Sequence, residues 1–214
     1  MSALKLHYHP LSSYCWKALI ALYENNTPFT PMMTDDAESW DRLAAIWPVR
    51  KFPVLEDSGR IVPETSVIIE YLALHHPGEF LPLPTDEDAA LEVRLMDRLF
   101  DNYVMTPMQT IVADRIRPAD ANRDPYGVTK ARERLAVSYG LLETRLAGRS
   151  WAAGDAFTLA DCAAFPSLFY ANKVVPLADD HPVLSAYLNR LHVRPSVARV
   201  FKEAEPYLSM FPEA

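Results

Sequence analysis

The chain has 214 residues, half of them hydrophobic and 23% charged, which is an ordinary globular composition. Its net charge is −7 and neither half is basic, so it lacks the clustered basic surface that nucleic acids and anionic membranes require. Two cysteines are too few for a disulfide framework, and no apolar run is long enough for a signal peptide or a membrane span, so we expect a cytoplasmic protein.

The first 76 residues alternate short strands with helices. Residues 3–8 predict a strand, and a helical stripe of apolar residues predicts a helix over 13–24. The turn residues Asp57-Ser58-Gly59 predict a hairpin. The other predicted elements are strands at 29–33, 53–56 and 60–62, and helices at 40–47 and 64–75. The expected order is β-α-β-α-β-β-α, a mixed α/β sheet domain.

A turn-rich segment rich in proline follows this unit, and the rest of the chain has helical spacing. We place a linker at 77–86 between a sheet domain, 1–76, and an all-helical domain, 87–214. Apolar stripes predict helices around 96–103, 135–146 and 184–191.

A helix start near residue 158 carries a hydroxyl and a carboxylate at capping spacing. Thr158 and Asp161 can form a capping box, with Phe157 and Cys162 as a hydrophobic staple around it. Asp161 could instead be a catalytic acid, but a folding device is the better interpretation of this spacing. Cys162 is then a small core residue.

Four segments stand out for their polar residues at element boundaries: Ser12–Lys17, Lys51–Asp57, Glu64–Ile69 and Gly154–Asp161. In their order and spacing they resemble the cytosolic glutathione transferase superfamily, and the likeness covers essentially the whole chain. Within the superfamily, the first segment looks like the serine-type classes, nearest to zeta-like bacterial members. The resemblance implies an N-terminal thioredoxin-like domain, a C-terminal helical bundle, and a homodimer that conjugates glutathione to a small electrophile in detoxification.

The resemblance also implies roles for single residues. Ser12 would be the catalytic hydroxyl that hydrogen-bonds the glutathione sulfur, with Ser13 as the competing candidate. The backbone of Phe52, before a cis Pro53, would pair with the cysteinyl unit. The remaining implied glutathione contacts are Lys51 to the glycyl carboxylate, Glu64 to the γ-glutamyl ammonium, and Thr65 to the γ-glutamyl carboxylate.

Elementary chemistry is consistent with a donor role for Ser12. A free thiol has a pKa of about 8.5, and lowering it by about 2 units requires roughly 2.7 kcal/mol of preference for the thiolate. The N–H groups at a helix start and one hydroxyl donor to the anion are together of this size. The alternatives are plain helix capping for Ser12, a first-turn acid for Glu64 and a solvated surface lysine for Lys51.

Two other polar features have less support. Cys15 at a helix start could form a mixed disulfide with glutathione, although a packed thiol is the better interpretation. His7 and His9 could share a strand face, but two histidines without a third ligand make a poor metal site, so we expect no metal.

The electrophile would bind between the two domains, where clefts commonly form. Candidate lining residues, which could equally belong to the core, are Leu11, Tyr103, Met105, Met108 and Ile111. Three alternatives to conjugation remain open at this point. They are glutathione-dependent cis–trans isomerisation of the maleylacetoacetate isomerase kind, thiol–disulfide exchange through Cys15, and a non-catalytic binding protein that keeps the fold.

Overall fold

Four short strands form a mixed sheet in the N-terminal part of the computed structural model, which describes residues 4–118, 122–177 and 180–212. The strands are β1 (Leu4–Tyr8), β2 (Thr30–Met33), β3 (Val54–Asp57) and β4 (Arg60–Pro63). Their order is β2-β1-β3-β4, with β1 parallel to β2 and antiparallel to β3, and β3 antiparallel to β4. The carboxyl end of β1 therefore lies beside the amino end of β3, where polar loops can meet.

Three helices accompany this sheet, and the first begins where β1 ends. They are α1 (Ser13–Glu24), α2 (Ala37–Ile46) and α3 (Thr65–His75). Ser12 caps α1 and Asp36 caps α2 through side-chain acceptors, as expected for short polar residues at helix starts. The element order β-α-β-α-β-β-α is the predicted one, and the thioredoxin-like domain is confirmed.

From residue 87 onward the described chain is helical, as predicted. The long first helix consists of α4 (Glu87–Leu99), a π-helical segment (Phe100–Met105) and α5 (Thr106–Arg115). The remaining elements are α6 (Pro125–Leu146), α7 (Leu159–Val174), α8 (Pro182–His192), α9 (Pro195–Ala204) and a 3₁₀ helix (Glu205–Met210). No helix among the described residues is long and apolar enough to cross a membrane.

The predicted linker, 77–86, contains no helix or strand, yet it is held against both neighbours. Phe80 N donates to Asn25 Oδ1 at 2.7 Å, and Leu159 N donates to the Pro82 carbonyl at 3.0 Å. These two contacts join the linker to the parts on either side of it. The domain boundary itself stays a prediction.

A shared apolar core connects the two parts through α1 and α7. Trp16 of α1 is fully buried among the rings of Phe165, Phe169 and Tyr170. The indole Nε1 of Trp16 donates to the Pro10 carbonyl at 2.5 Å, and the Tyr170 hydroxyl donates to the Leu11 carbonyl at 2.7 Å. The loop that carries Ser12 is therefore fixed from both domains.

The capping box at α7 is present. Thr158 N donates to Asp161 Oδ2 at 2.9 Å, and the Asp161 carboxylate also accepts from Ala152 N and the Tyr187 hydroxyl at 2.8 and 2.6 Å. Asp161 has no exposed surface, so it has no access to a substrate and its role is structural. Cys162 is a buried core residue, as expected.

Candidate active site

A cleft of about 610 Å³ opens between the sheet domain and the long α4–α5 helix. One wall comes from α1, the α2–β3 loop and the start of α3, through Tyr14, Trp47, Lys51, Phe52, Pro53, Glu64, Thr65, Ser66 and Val67. The other wall comes from the long helix, through Arg98, Asp101, Asn102, Thr106 and Gln109. The structure thus brings Lys51, Phe52, Pro53, Glu64 and Thr65 together from two separate sequence segments.

The turn before β3 lies at this cleft. The Phe52–Pro53 peptide bond is cis, as the resemblance implied. The Phe52 ring lies between Trp40 and His9, with ring centroids 5.4 and 6.3 Å away. Pro53 is buried, and both Phe52 and Pro53 line the cleft.

The start of α3 has two unusual features. Glu64 has φ +70° and ψ 117°, a region that non-glycine residues rarely adopt, and its exposed side chain makes no capping hydrogen bond. The first-turn N–H groups of α3 therefore have no side-chain cap. The residues of this turn, Glu64 to Val67, line the cleft. Backbone strain of this kind persists where the surrounding structure imposes it, most often at binding sites.

Ser12 lies at the start of α1, on the loop fixed by Trp16 and Tyr170. Its Oγ accepts from Cys15 N at 3.3 Å, so a lone pair is used for capping and the hydroxyl proton is left to donate. Ser13 lies inside the helix and is buried. Neither serine is among the lining residues of the cleft, whereas Tyr14 of the same turn is.

The Tyr14 hydroxyl is a neutral group on the cleft wall. Burial raises the pKa of Tyr14 to about 12, and the nearby Asp101 carboxylate adds to this shift. The tyrosine therefore remains a hydrogen-bond donor at neutral pH. Sequence interpretation did not include it, because an aromatic residue at the second helical position carries no distinguishing signal.

Cys15 does not have the surroundings of a reactive thiol. Its side chain is completely buried, and this burial raises the pKa of the Cys15 thiol to about 12. Reactive cysteines are exposed and have lowered pKa values, so the packed-thiol interpretation agrees with the structure and exchange through Cys15 does not.

At the cleft lies a group of four charges, which we call the Lys17 cluster: the buried Lys17, Asp97 and Asp101, and the half-exposed Arg98. Lys17 Nζ is 2.5 Å from Asp97 Oδ1 and 2.8 Å from Asp101 Oδ2. Burial raises the pKa of Asp101, and the positive charge of Lys17 opposes this shift. Because Lys17 belongs to α1 and the aspartates to the long helix, the cluster joins the two domains.

Ser66 connects this cluster to the start of α3. Its Oγ accepts from Lys17 Nζ at 2.9 Å and from Arg98 Nη2, and it donates to Asp97 Oδ2 at 2.9 Å. Every polar position of the Ser66 hydroxyl is therefore used inside the protein. Of the two hydroxyls after Glu64, only that of Thr65 is left for a ligand.

The expected electrophile residues require a correction. Met105, Met108 and Ile111 are at most 3% exposed, because their face of the long helix packs against α6 and α7. Leu11 packs partly against the core, and Tyr103 is 50% exposed, but neither lines the cleft described here. The cleft-facing residues of the helix are the polar Asn102, Thr106 and Gln109.

A sequence signal for the Lys17 cluster did exist. Lys17 stands within the apolar run Trp16–Leu22, where a lysine must be buried and therefore needs acidic partners. Those partners, Asp97 and Asp101, stand on the same helical stripe as Phe100 and Val104. The two signals are 80 residues apart in the chain, and only the fold joins them.

The described residues include no group of three or more His, Cys, Asp or Glu side chains that could hold a metal ion. His9 Nδ1 accepts from Leu11 N at 3.1 Å, so this imidazole belongs to the loop before Ser12. Burial lowers the pKa of both His7 and His9.

Comparison with known families and proteins is consistent with this geometry. A model of the glutathione S-transferase N-terminal domain matches residues 6–80, and a model of the glutathione S-transferase C-terminal domain matches residues 100–195. A glutathione S-transferase from Pseudomonas putida is 28% identical over 216 residues, covering 98% of this chain and 96% of the relative.

One solved structure and one further relative are also similar to this chain. A glutathione S-transferase from Methylobacterium radiotolerans, in complex with glutathione sulfonate, has a TM-score of 0.80 at 30% identity, covering 99% of this chain and 95% of that chain. A probable maleylacetoacetate isomerase from Caenorhabditis elegans is 27% identical over 168 residues, 76% of each chain.

Proposed function

The chain belongs to the cytosolic glutathione transferase superfamily and is a glutathione transferase, and from this premise we propose that Ser12 keeps the sulfur of bound glutathione anionic for attack on a small electrophile. The observation that carries this proposal is the convergence of Lys51, Phe52, Glu64 and Thr65 on one cleft. That convergence matches the charges of the tripeptide, which has two carboxylates, one ammonium and a thiol.

The proposed binding mode follows from these groups. The Glu64 carboxylate pairs with the γ-glutamyl ammonium, and the Thr65 hydroxyl and the uncapped start of α3 bind the adjacent carboxylate. The Phe52 backbone aligns the cysteinyl unit, and Lys51 attracts the glycyl carboxylate. We place the sulfur toward the start of α1, where the Ser12 hydroxyl, whose Oγ accepts from Cys15 N, would donate its proton to it.

Ser12 is proposed as a hydrogen-bond donor and not as a nucleophile. The helix start supplies partial positive charge, and the hydroxyl adds one hydrogen bond to an anionic acceptor, worth about 1.5–3 kcal/mol. The attacking thiolate displaces a leaving group or adds to an activated double bond of the electrophile. The polar wall of Asn102, Thr106 and Gln109 favours a polar electrophile over a purely apolar one.

The test compares Ser12→Ala with Ser13→Ala. We expect Ser12→Ala to raise the pKa of the bound thiol by about 1–2 units, because a charged hydrogen bond is lost. Ultraviolet titration of the thiolate in the complex measures this pKa directly. At pH 6.5 the turnover of an aryl halide should fall about 10- to 100-fold, and the deficit should shrink as pH rises above the new pKa. Equal thiolate titrations in wild type and Ser12→Ala would refute the role of Ser12, and a shift confined to Ser13→Ala would transfer it.

Glutathione-dependent isomerisation is the second candidate, favoured by the isomerase relative and the polar cleft wall. Both reactions begin with the same thiolate, but isomerisation releases it unchanged. Incubation with a cis-enedione substrate, followed by mass balance of free glutathione, separates them. Stoichiometric loss of glutathione supports conjugation, and full recovery with a changed double-bond geometry supports isomerisation.

We also propose that the protein is a homodimer. Val67 and Leu74 on α3, together with Leu91 and Leu95 on α4, are 42–78% exposed and form an apolar face beside the cleft. An exposed ion pair between Arg94 and Glu70, 3.0 Å long, connects the two helices at this face. Sedimentation velocity of wild type and of Leu74→Glu tests the assembly, and a wild-type monomer would contradict it.

A further inference from the structure

We infer that Arg98 is a binding residue for the γ-glutamyl carboxylate of glutathione and that Lys17, through its two aspartates, is the residue that positions Arg98. This inference rests on the proposed function and assigns a new residue to the same site. Arg98 lies on the α4 wall of the cleft, opposite the segment that carries Glu64 and Thr65.

The Arg98 side chain has one end fixed and one end available. Its Nη2 is 2.5 Å from Asp97 Oδ2 and 2.9 Å from Asp101 Oδ2, and its Nε is 3.2 Å from Asp97 Oδ2. Its Nη1 has no hydrogen bond to any residue that the structure describes. The side chain remains 49% exposed, so a planar cation with free N–H donors stands at the cleft surface in a fixed orientation.

The charges of the Lys17 cluster are ordered from interior to cleft. Side-chain exposure is 1% for Lys17, 2% for Asp97, 9% for Asp101 and 49% for Arg98. The two cations and two anions cancel overall, but the exposed end is positive. A ligand in the cleft therefore meets the guanidinium more than the Asp101 carboxylate, which also lines the cleft but is nearly buried and is paired with Lys17 from behind.

The start of α3 places the ligand carboxylate near this guanidinium. Arg98 Nη2 donates to the Ser66 hydroxyl, one residue from Thr65, so Arg98 reaches the first turn of α3. The Ser66 hydroxyl is fully used, so a carboxylate bound by the Thr65 hydroxyl and the N–H groups of α3 still has no charged partner from this turn. Arg98 can be that partner, and guanidinium groups bind carboxylates with well-matched geometry.

Two ligand analogues separate this role from a structural one. 4-Aminobutanoyl-Cys-Gly lacks the γ-glutamyl carboxylate, and glutaryl-Cys-Gly lacks the ammonium. We expect Arg98→Gln to weaken glutathione about tenfold by calorimetry, which corresponds to about 1.4 kcal/mol. The same substitution should leave affinity for 4-aminobutanoyl-Cys-Gly unchanged and should weaken glutaryl-Cys-Gly as much as glutathione. Arg98→Lys should recover part of the loss, because the charge is kept and the planar geometry is not.

Arg199→Gln is the matched control, since Arg199 is also half-exposed, is paired with Glu203 and lies outside the cleft. It should bind all three ligands as wild type does. An Arg98→Gln variant that weakens 4-aminobutanoyl-Cys-Gly as much as glutathione would overturn the inference, because the effect would not depend on the carboxylate. A wild-type protein that binds no glutathione would instead overturn the proposed function.

The positioning role of Lys17 is tested by its effect on recognition of the γ-glutamyl carboxylate by Arg98. In Lys17→Met the two aspartates lose their buried cation, and we expect affinity for glutathione to fall while the ratio of its affinity to that of 4-aminobutanoyl-Cys-Gly falls by about as much as it does in Arg98→Gln. Lys17→Met alone leaves two buried aspartates without their cation and could unfold the protein. The triple variant Lys17→Met, Asp97→Asn, Asp101→Asn removes these buried negative charges as well. If it folds and still discriminates the two ligands as wild type does, the positioning role of Lys17 is refuted.

Discussion

The starts of α7 and α3 both place a carboxylate beside a hydroxyl, and they differ in whether that carboxylate has partners within the protein. At α7, the Asp161 carboxylate is completely buried and accepts hydrogen bonds from Ala152, Thr158 and Tyr187. At α3, the Glu64 carboxylate is exposed and makes no capping hydrogen bond, on a backbone with φ +70°. The first start is satisfied within the protein, and the second is left incomplete beside a cleft.

The comparison teaches that residue type does not decide between a folding device and a binding site. What decides is whether the polar groups already have partners. A satisfied buried carboxylate stabilises the fold, whereas an unsatisfied helix start in a cleft can bind an anion or a zwitterion. Substitutions at the two starts should therefore separate stability from ligand affinity.

The largest effect is expected at the satisfied start. Asp161→Asn replaces an acceptor oxygen by an amide N–H₂ that faces buried donors, so we expect a loss of about 3 kcal/mol or more in the free energy of unfolding. Urea denaturation followed by circular dichroism measures it. The folded fraction should keep wild-type affinity for glutathione, because Asp161 is remote from the cleft.

Asp155→Asn is the control for this substitution. Asp155 is exposed, lies in the same segment, and should change the free energy of unfolding by less than about 0.5 kcal/mol. An Asp161→Asn protein with wild-type stability would remove the basis of the comparison, and one with wild-type stability but no turnover would restore the catalytic-acid interpretation.

Sequence patterns predicted the order of strands and helices because the signals for it are local, and the resemblance supplied the thioredoxin-like fold. The helical stripe from Trp16 to Tyr23 and the hairpin residues Asp57–Gly59 each lie within a dozen positions. The order of strands and helices then follows. The start of α1 was predicted at Ser13, where the structure places it, because Ser12 is a strong capping residue.

The site was only partly predictable for the same reason. Lys51, Phe52, Glu64 and Thr65 follow from the resemblance, since they stand in contiguous motifs. Asp97, Arg98 and Asp101 act together with Lys17 across 80 residues, and no local pattern joins them. The long helix also has two faces, and its methionines suited a cleft wall as well as a core, so only packing could assign them to the core.

A smaller effect is expected at the incomplete start, and on affinity instead of stability. Glu64→Gln removes the charge that we pair with the γ-glutamyl ammonium, so we expect glutathione to bind about tenfold more weakly by calorimetry. The free energy of unfolding should change by less than about 0.5 kcal/mol, because the side chain makes no capping bond. Glutaryl-Cys-Gly, which lacks the ammonium, should bind the variant and the wild type equally. A variant that loses stability but keeps its affinity would make α3 a folding device like α7.

The smallest effect is expected at Lys51, where the cleft meets solvent. Lys51 is exposed and has no ion pair among the described residues, so its attraction for the glycyl carboxylate is screened by water and salt. We expect Lys51→Ala to raise the KM for glutathione about threefold at low ionic strength with kcat unchanged, because such binding is equal in ground and transition states. At about 0.5 M salt the two proteins should become indistinguishable, since the Debye length falls below the reach of an exposed pair. Steady-state kinetics at both ionic strengths measures this. A threefold difference that persists in high salt would mean that Lys51 makes a short, desolvated contact like those of the Lys17 cluster, and the assignment of Lys51 to a solvated charge at the mouth of the cleft would then be wrong.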